Sequence, residues 1–264
     1  MLVSVTVRLI WGRLRHRSGR MYAVGLGLVL LLGGVEGGHG QSVAEAAETV
    51  PFCREDTRRM TTMDTRGLGA VYCADSPLLE RPLQGAHATA RPVFYGAVPL
   101  AWGGALLSGD DQAYADAYQL TVAQGATYGI VLGLKHAVGR PRPYVTRALT
   151  SRSSHYGDTQ RADAYTSFPS GHASISAALV TSWSLSHPKW YVVGPGSAWA
   201  VAVALSRLHL GVHYPSDVIV GMGIGVGVAV LTHQLRASLT PTIVERGFRP
   251  SLRAPSPVGL HIRF

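Results

Sequence analysis

The stretch Ser206–Asp217, which reads SRLHLGVHYPSD, lies between two uncharged apolar segments of the chain. It contains an arginine, two histidines and an aspartate. Burying such polar groups among apolar surroundings costs free energy unless they are paired or serve a function. We therefore expect a functional site at this stretch.

Two local structures are compatible with this stretch. His209, His213 and Asp217 follow one another at intervals of four residues, so one unbroken helix would place them on one face, where they could hold a metal ion. Gly211 and Pro215 disfavour that helix, because glycine loosens a helix and proline removes a backbone donor.

In the second structure, a loop carrying Arg207 and His213 leads into a helix that begins near Ser216 or Asp217. Ser216 would cap this helix, and Asp217 would lie in its first turn, where negative charge is favoured. The Asp217 carboxylate could then orient the His213 imidazole, which leaves the other ring nitrogen as a nucleophile or base. Arg207 would bind an anion.

A second cluster, residues 135–143, reads KHAVGRPRP and follows an apolar segment. The pattern predicts a helix that ends near Gly139, and Pro143 forces Arg142 into an extended conformation. Lys135 would lie on the last helical turn and Arg142 just beyond it, so both cations could contact one anion. The alternative is that they only stabilise the helix C-terminus.

A third cluster, Pro169–His172, reads PSGH and precedes a long uncharged run. It is typical of a helix N-terminus, whose free N–H groups can bind phosphate. Alternatively, Ser170 is an ordinary N-cap and His172 is a structural histidine. Together the three clusters predict one anion-binding site.

The three clusters resemble, position by position, the three-part signature of the type 2 phosphatidic acid phosphatase (PAP2) superfamily. This superfamily also includes bacterial non-specific acid phosphatases and vanadium haloperoxidases. The matching positions are Lys135, Arg142-Pro143, Pro169-Ser170-Gly171-His172, Ser206-Arg207, His213 and Asp217.

The resemblance implies an all-α fold, a PAP2/haloperoxidase-like bundle of about five core helices, either embedded in a membrane or soluble. It also implies that Lys135, Arg142 and Arg207 hold the phosphoryl oxygens, assisted by the Ser170 hydroxyl and the Gly171 N–H group. Phosphoryl transfer depends mainly on such positioned donors.

The same resemblance implies that His213 attacks phosphorus and forms a phosphohistidine, while Asp217 fixes its tautomer and stabilises its positive charge. His172 would protonate the leaving oxygen and then activate water. The three cations hold the phosphoryl group, so neither a metal ion nor another cofactor is implied.

The expected function is a phosphatase acting on phosphate monoesters or diphosphates, mainly of lipids, with the membrane and a phosphorylated substrate as partners. One alternative is a soluble periplasmic non-specific acid phosphatase, of which a haloperoxidase is a variant. Another is a non-catalytic membrane protein that binds anionic lipid. Nucleic acid is not an expected partner, since the net charge of +9 includes no basic stretch interleaved with aromatic residues.

Four segments are expected. Residues 1–40 read as a signal peptide, or alternatively an anchor helix, which implies export to a bacterial-type inner membrane with a periplasm-facing site, or to the soluble periplasm. Residues 41–91 form a polar lead-in, in which Cys53 and Cys73 are either disulfide-bonded or buried free thiols. Residues 92–236 form the helical core, and residues 237–264 a Pro/Arg-rich tail.

Five uncharged apolar stretches predict the core helices. They are Pro92–Ser108, Ala117–Leu134, Ala173–Ser186, Trp190–Ser206 and Val218–Leu235. In the last of these, glycines alternate at 221, 223, 225 and 227, which does not fit a dinucleotide fingerprint. Small residues four apart instead favour close helix packing.

Overall fold

The computed structural model describes residues 51–54, 60–153, 160–241 and 244, and this part of the chain is helical without a β-strand. The predicted signal peptide lies outside the described residues, as does most of the Pro/Arg-rich tail. The longer helices are α1 (Met63–Tyr72), α2 (Pro77–Ser108), α3 (Asp111–Val138), α4 (Gly171–Ser186), α5 (Trp190–His209) and α6 (Pro215–Gln234). Single turns of helix occur at Pro51–Arg54, Pro143–Thr146 and Arg236–Leu239, and a 3₁₀ turn at Ala162–Tyr165. The predicted all-α bundle is confirmed, with α2 to α6 as its five core helices.

The ends of α3 follow from local sequence. Asp110 caps its N-terminus and accepts a hydrogen bond from the backbone N–H of Gln112 at 3.3 Å. Gly139 ends it in the left-handed conformation, with φ of 59°. This end places Lys135 on the last turn, as predicted.

Helix α2 is longer than its apolar stretch indicated, since it begins at Pro77 and not near Pro92. Its first half is polar on one side, but Leu83, Ala86 and Ala90 on the other side are buried. The predicted boundary between residues 91 and 92 therefore falls inside a helix.

Helix α4 packs against the other four core helices, and its contact with α6 is the most extensive in the described part of the bundle. A Cβ atom at Gly225 would lie 2.1 Å from the Ser174 carbonyl oxygen, and one at Gly221 would lie 2.7 Å from the Ser170 carbonyl oxygen. Gly223 and Gly227 have no such neighbour within 4 Å among the described residues. Close packing therefore accounts for two of the four alternating glycines.

The segment before the core is tied to the site end of the bundle. Cys53 and Cys73 form a disulfide with a Cα–Cα distance of 5.6 Å, one of the two states left open by the sequence. Phe52 is buried against Tyr72, and its N–H donates to the Ala148 carbonyl oxygen at 3.1 Å. Helix α1, between the two cysteines, packs on α5 and α6.

Candidate active site

The Ser206–Asp217 stretch is a helix end, a loop and a helix start. Helix α5 ends at His209, Gly211 has φ of 69°, and α6 begins at Pro215. The alternative of one unbroken helix is therefore wrong, and so is the expected cap at Ser216. Pro215 occupies the first helical position, where no backbone donor is needed, so the residue before it, Tyr214, is the N-cap.

His213 is almost completely buried in this loop, with 3% of its surface exposed. Its Nε2 lies 3.0 Å from Nη1 of Arg142. Arginine can only donate, so Nε2 accepts and the neutral ring carries its proton on Nδ1. Burial, followed by the charge of Arg142, lowers the pKa of His213 to about 3. The ring is therefore neutral at neutral pH, with the Nε2 lone pair directed at a cation.

Asp217 is fully buried beside His213, and its Oδ2 lies 3.6 Å from the histidine Nδ1. Three donors hold the carboxylate: the Tyr214 N–H at 2.8 Å, the Ser167 hydroxyl at 2.5 Å and Nη1 of Arg140 at 2.5 Å. The Ser167 oxygen also lies 3.5 Å from His213 Nδ1. Asp217 thus has the place expected for it, within a set of donors that fixes its orientation.

Lys135 and the start of α4 lie together. Nζ of Lys135 donates to the Thr166 carbonyl oxygen, and its Cε would lie 3.9 Å from a Cβ built on Gly171. Ser170 is the N-cap of α4, but its hydroxyl makes no capping bond, is fully buried and has no hydrogen-bond partner among the described residues. A buried hydroxyl without such a partner is suited to donate a hydrogen bond to a ligand oxygen.

Arg207 is 1% exposed, and its guanidinium contacts Ser206 and His87. Nε and Nη2 of Arg207 donate to Ser206 Oγ at 3.1 Å and 2.8 Å. Nη2 also lies 2.5 Å from Nδ1 of His87 on α2. Because arginine donates, His87 accepts this bond and fixes the guanidinium.

A cavity of about 660 Å³ lies between α2, α3 and α4. Lys135, Gly171 and His172 line it, together with Phe94, Val131, Ile175 and other side chains. The His172 and Phe94 rings pack edge to face, with their centres 5.6 Å apart. The cavity thus presents a largely apolar wall beside a cation and an imidazole.

The structure brings the three sequence clusters together. Arg142 of the 135–143 cluster reaches His213 of the Ser206–Asp217 stretch, and the Ser170 N–H of the Pro169–His172 cluster donates to the Asp217 carbonyl oxygen at 3.0 Å. Lys135 lies beside Gly171. The catalytic and phosphate-binding roles of these residues stay predictions.

The model of the PAP2 superfamily matches residues 116–241. We refer to residues 116–241, just under half of the chain, as the PAP2 domain. In sequence, this chain is similar to a lipid A 1-phosphatase of Rhizobium etli, 36% identical over 104 residues, which are 38% of this chain and 41% of that protein. It is also similar to an undecaprenyl-diphosphatase of Sulfolobus acidocaldarius, 39% identical over 125 residues, which are 45% of this chain and 55% of that protein. The chain therefore spans about two fifths to just over half of these relatives.

Two solved structures share the fold of this chain at 19% sequence identity. Aquifex aeolicus LpxE aligns with a TM-score of 0.52, covering 66% of this chain and 96% of that one. A transmembrane PAP2 type phosphatidylglycerolphosphate phosphatase from Bacillus subtilis aligns with a TM-score of 0.51, covering 84% of this chain and 100% of that one.

Several groups at the site were missed by sequence reasoning. Ser167 lies in a polar loop without a recognisable pattern, and Arg140 was not among the expected site residues. His87 and Asp64 lie before the PAP2 domain, far along the chain from its motifs. No spacing in the sequence indicates that they reach the site.

Proposed function

We propose that this chain is a PAP2-type phosphatase that hydrolyses phosphate monoesters or diphosphates of lipids through a phosphohistidine intermediate. The observation that carries the proposal is the neutral His213, whose Nε2 faces Arg142 at 3.0 Å. A nucleophilic nitrogen beside a fixed cation is what attack on a phosphoryl group requires.

In the first step, Lys135, Arg142 and Arg207 hold the phosphoryl oxygens, with the Ser170 hydroxyl and the Gly171 N–H at the start of α4. The phosphoryl group enters between Arg142 and His213, so the guanidinium passes from the ring nitrogen to a phosphoryl oxygen. These donors neutralise the charge that spreads over the equatorial oxygens in the transition state.

In the second step, the Nε2 lone pair of His213 forms a bond to phosphorus and the bond to the leaving oxygen breaks. Burial and the charge of Arg207 lower the pKa of His172, so in this step the ring first takes up a proton with the anionic substrate and then donates that proton to the leaving oxygen. Asp217 stabilises the positive charge on the phosphorylated ring. Neutral His172 then takes a proton from water, the hydroxide oxygen bonds to phosphorus, and the P–N bond breaks. This releases phosphate and restores both histidines.

A lipid substrate is supported by the apolar surfaces of the bundle. The cavity beside Lys135 and His172 has room for a chain of methylene groups on its apolar wall. Large apolar side chains are also exposed along the long helices, among them Leu100, Leu107, Ile130, Val201, Ile219 and Leu231. Both relatives named above act, by their names, on lipid-linked phosphate.

A membrane location is supported by the same surfaces. Among the described residues α6 is the helix long and apolar enough to cross a bilayer, with a mean hydropathy of 1.6. The site residues lie at one end of the bundle, on the loop after α5 and at the ends of α3 and α4. We propose that this end faces the periplasm of a bacterial-type cell after export.

The test is phosphate release from a panel of lipid and water-soluble phosphomonoesters and diphosphates, without added metal. His213→Ala should abolish release, and a retained phosphatase activity would refute the assigned nucleophile. His136→Ala is the matched control, since His136 is exposed and its Nδ1 contacts the Leu132 carbonyl oxygen of its own helix, at 2.8 Å. A non-catalytic lipid-binding protein would release no phosphate in any form.

Two outcomes separate the membrane enzyme from a soluble acid phosphatase. The membrane enzyme should require detergent for extraction and should prefer lipid phosphates over water-soluble esters. A folded protein extracted without detergent, with equal rates on both classes, would favour the soluble enzyme.

A further inference from the structure

One carboxylate of the segment before the PAP2 domain contacts residues beside the site. Asp64 is the second residue of α1, and its Oδ1 accepts a hydrogen bond from the Ser216 N–H at 2.9 Å. Its Oδ2 accepts from the Ser216 hydroxyl at 2.8 Å and from Nη2 of Arg140 at 2.7 Å. Asp64 thus binds both the first turn of α6 and Arg140 of the 135–143 cluster.

Arg140 joins this carboxylate to the buried one. While Nη2 contacts Asp64, Nη1 donates to Asp217 Oδ1 at 2.5 Å and to the Ser216 hydroxyl at 2.7 Å. The guanidinium also lies over the Tyr214 ring, 4.3 Å from its centre. One planar cation is therefore fixed between two carboxylates, in the forked geometry that arginine provides and lysine does not.

The position of Asp64 is itself constrained. A Cβ atom at Gly67, one turn further along α1, would lie 2.8 Å from Cγ of Pro215, so α1 is pressed against the start of α6. The Cys53–Cys73 disulfide closes the loop that contains α1. Asp64 is thus held rigidly beside the site although it lies outside the matched domain.

The charges around Arg140 are balanced by this arrangement. Burial raises the pKa of Asp64, but the hydrogen bonds from Arg140 and Ser216 outweigh it and leave the pKa below its usual value. Asp64 is therefore ionised and shares the arginine charge with Asp217. Without it, Arg140 would be free to tilt towards Asp217, and the carboxylate would lose its orientation towards His213.

We infer that Asp64 is a positioning residue for the phosphatase reaction, acting through Arg140 and Asp217 on His213. The inference rests on the proposed function. It assigns part of the active site to the disulfide-linked segment that precedes the PAP2 domain.

The test is Asp64→Asn in the full chain, followed by a double-mutant cycle with Asp217→Asn. Asparagine places an NH₂ group against donors of Arg140 or Ser216 and removes the charge, so we expect kcat to fall about tenfold with little change in KM. In the Asp217→Asn background the same substitution should have no further effect, because the residue on which it acts is already changed. Asp75→Asn is the control, since Asp75 is an acidic residue just after α1 that lies outside this set of hydrogen bonds.

Vanadate binding provides a second readout that does not depend on turnover. Vanadate mimics the transferred phosphoryl group, so Asp64→Asn should weaken its binding about tenfold, and again only when Asp217 is present. Wild-type protein that binds vanadate but hydrolyses nothing would overturn the phosphatase proposal alone. An equal vanadate affinity in Asp64→Asn would overturn the positioning role.

Two further results decide against the inference. A wild-type kcat in Asp64→Asn would do so, and so would a loss that persists in the Asp217→Asn background, since that pattern reports general destabilisation. If Asp64→Asn does not fold, Arg140→Lys replaces it in the cycle, because lysine keeps the charge but cannot bridge both carboxylates. Wild-type turnover in Arg140→Lys would equally refute the bridge.

Discussion

Replacing Gly225 by alanine tests whether the packing of α6 on α4 positions the site. The new Cβ would lie 2.1 Å from the Ser174 carbonyl oxygen and 2.8 Å from the Ala178 backbone nitrogen. Both are backbone atoms of a helix and cannot rotate away. A carbon and a carbonyl oxygen normally stay at least about 3.3 Å apart, so the helices must separate by roughly 1 Å.

This separation has a stability effect and a catalytic effect. Overpacking of this kind costs about 1–3 kcal/mol of unfolding free energy. The start of α4 carries Ser170 and His172, and the start of α6 carries Asp217, so a shift between the helices also moves the two histidines apart. A displacement of about 1 Å at reacting groups can reduce turnover by about 100-fold. Gly225 lies about two turns from Asp217, so we expect a fall in kcat of about 10- to 100-fold.

The matched controls are Gly223→Ala and Gly227→Ala on the same helix, where no described atom lies within 4 Å of the added methyl group. They should be neutral or slightly stabilising, since alanine favours a helix by up to about 1 kcal/mol over glycine. Thermal unfolding in detergent and steady-state phosphate release would be measured for all three variants. If Gly225→Ala unfolds and turns over like Gly223→Ala, the packing argument is wrong.

Three other predictions concern the disulfide, pH and the α4 cap. Replacing Cys53 and Cys73 by serine should lower the unfolding free energy by about 3 kcal/mol for a sequence separation of 20, measured by denaturation with and without reductant; equal stability would contradict the entropic argument. His213, with its pKa of about 3 in the fold against about 6.5 when unfolded, should make the protein less stable as pH falls below 6.5, because the unfolded state binds the proton first. The loss should reach about 2 kcal/mol at pH 5, and His213→Gln should remove this component of the pH dependence. Ser170→Ala should leave the melting temperature unchanged but lower kcat/KM about tenfold, since no described residue bonds this hydroxyl, which would bond a charged ligand; a lower melting temperature with normal kinetics would identify an ordinary cap.

The sequence predicted those parts of the fold and site that depend on local patterns. The ends of α3 at Gly139 and of α4 at Gly171 follow from residues within one turn of each boundary. The Lys135 and His213 clusters were identified because polar groups beside apolar runs stand out. The predicted cap of α6, Ser216, lies two residues after the observed N-cap, Tyr214. Tyrosine is not a usual N-cap, and here its backbone N–H donates to the Asp217 carboxylate in the first turn of the helix.

The first half of α2 was missed for a physical reason. The mean hydropathy of residues 77–91 is that of a polar segment. Burial of Leu83, Ala86 and Ala90 on one side is nevertheless enough to hold a helix against the bundle. Tertiary contact therefore decided a helix that hydropathy did not indicate. His87, which holds Arg207, is on this same unpredicted part of α2.

The groups that sequence reasoning missed share one property: each acts on a motif residue and touches the phosphoryl site only through it. His87 contacts Arg207, and Asp64 contacts Arg140, at sequence separations of 120 and 76 residues. Local spacing constrains residues that lie in one turn or loop, and it carries no information about which distant helix supplies a partner. A motif therefore identifies the groups that meet the substrate, and only the packing of α1 and α2 reveals which groups keep them in place. For this protein, a chain shortened to residues 116–241 would lack both partners, so its kcat should be lower than that of the full chain even if it folds.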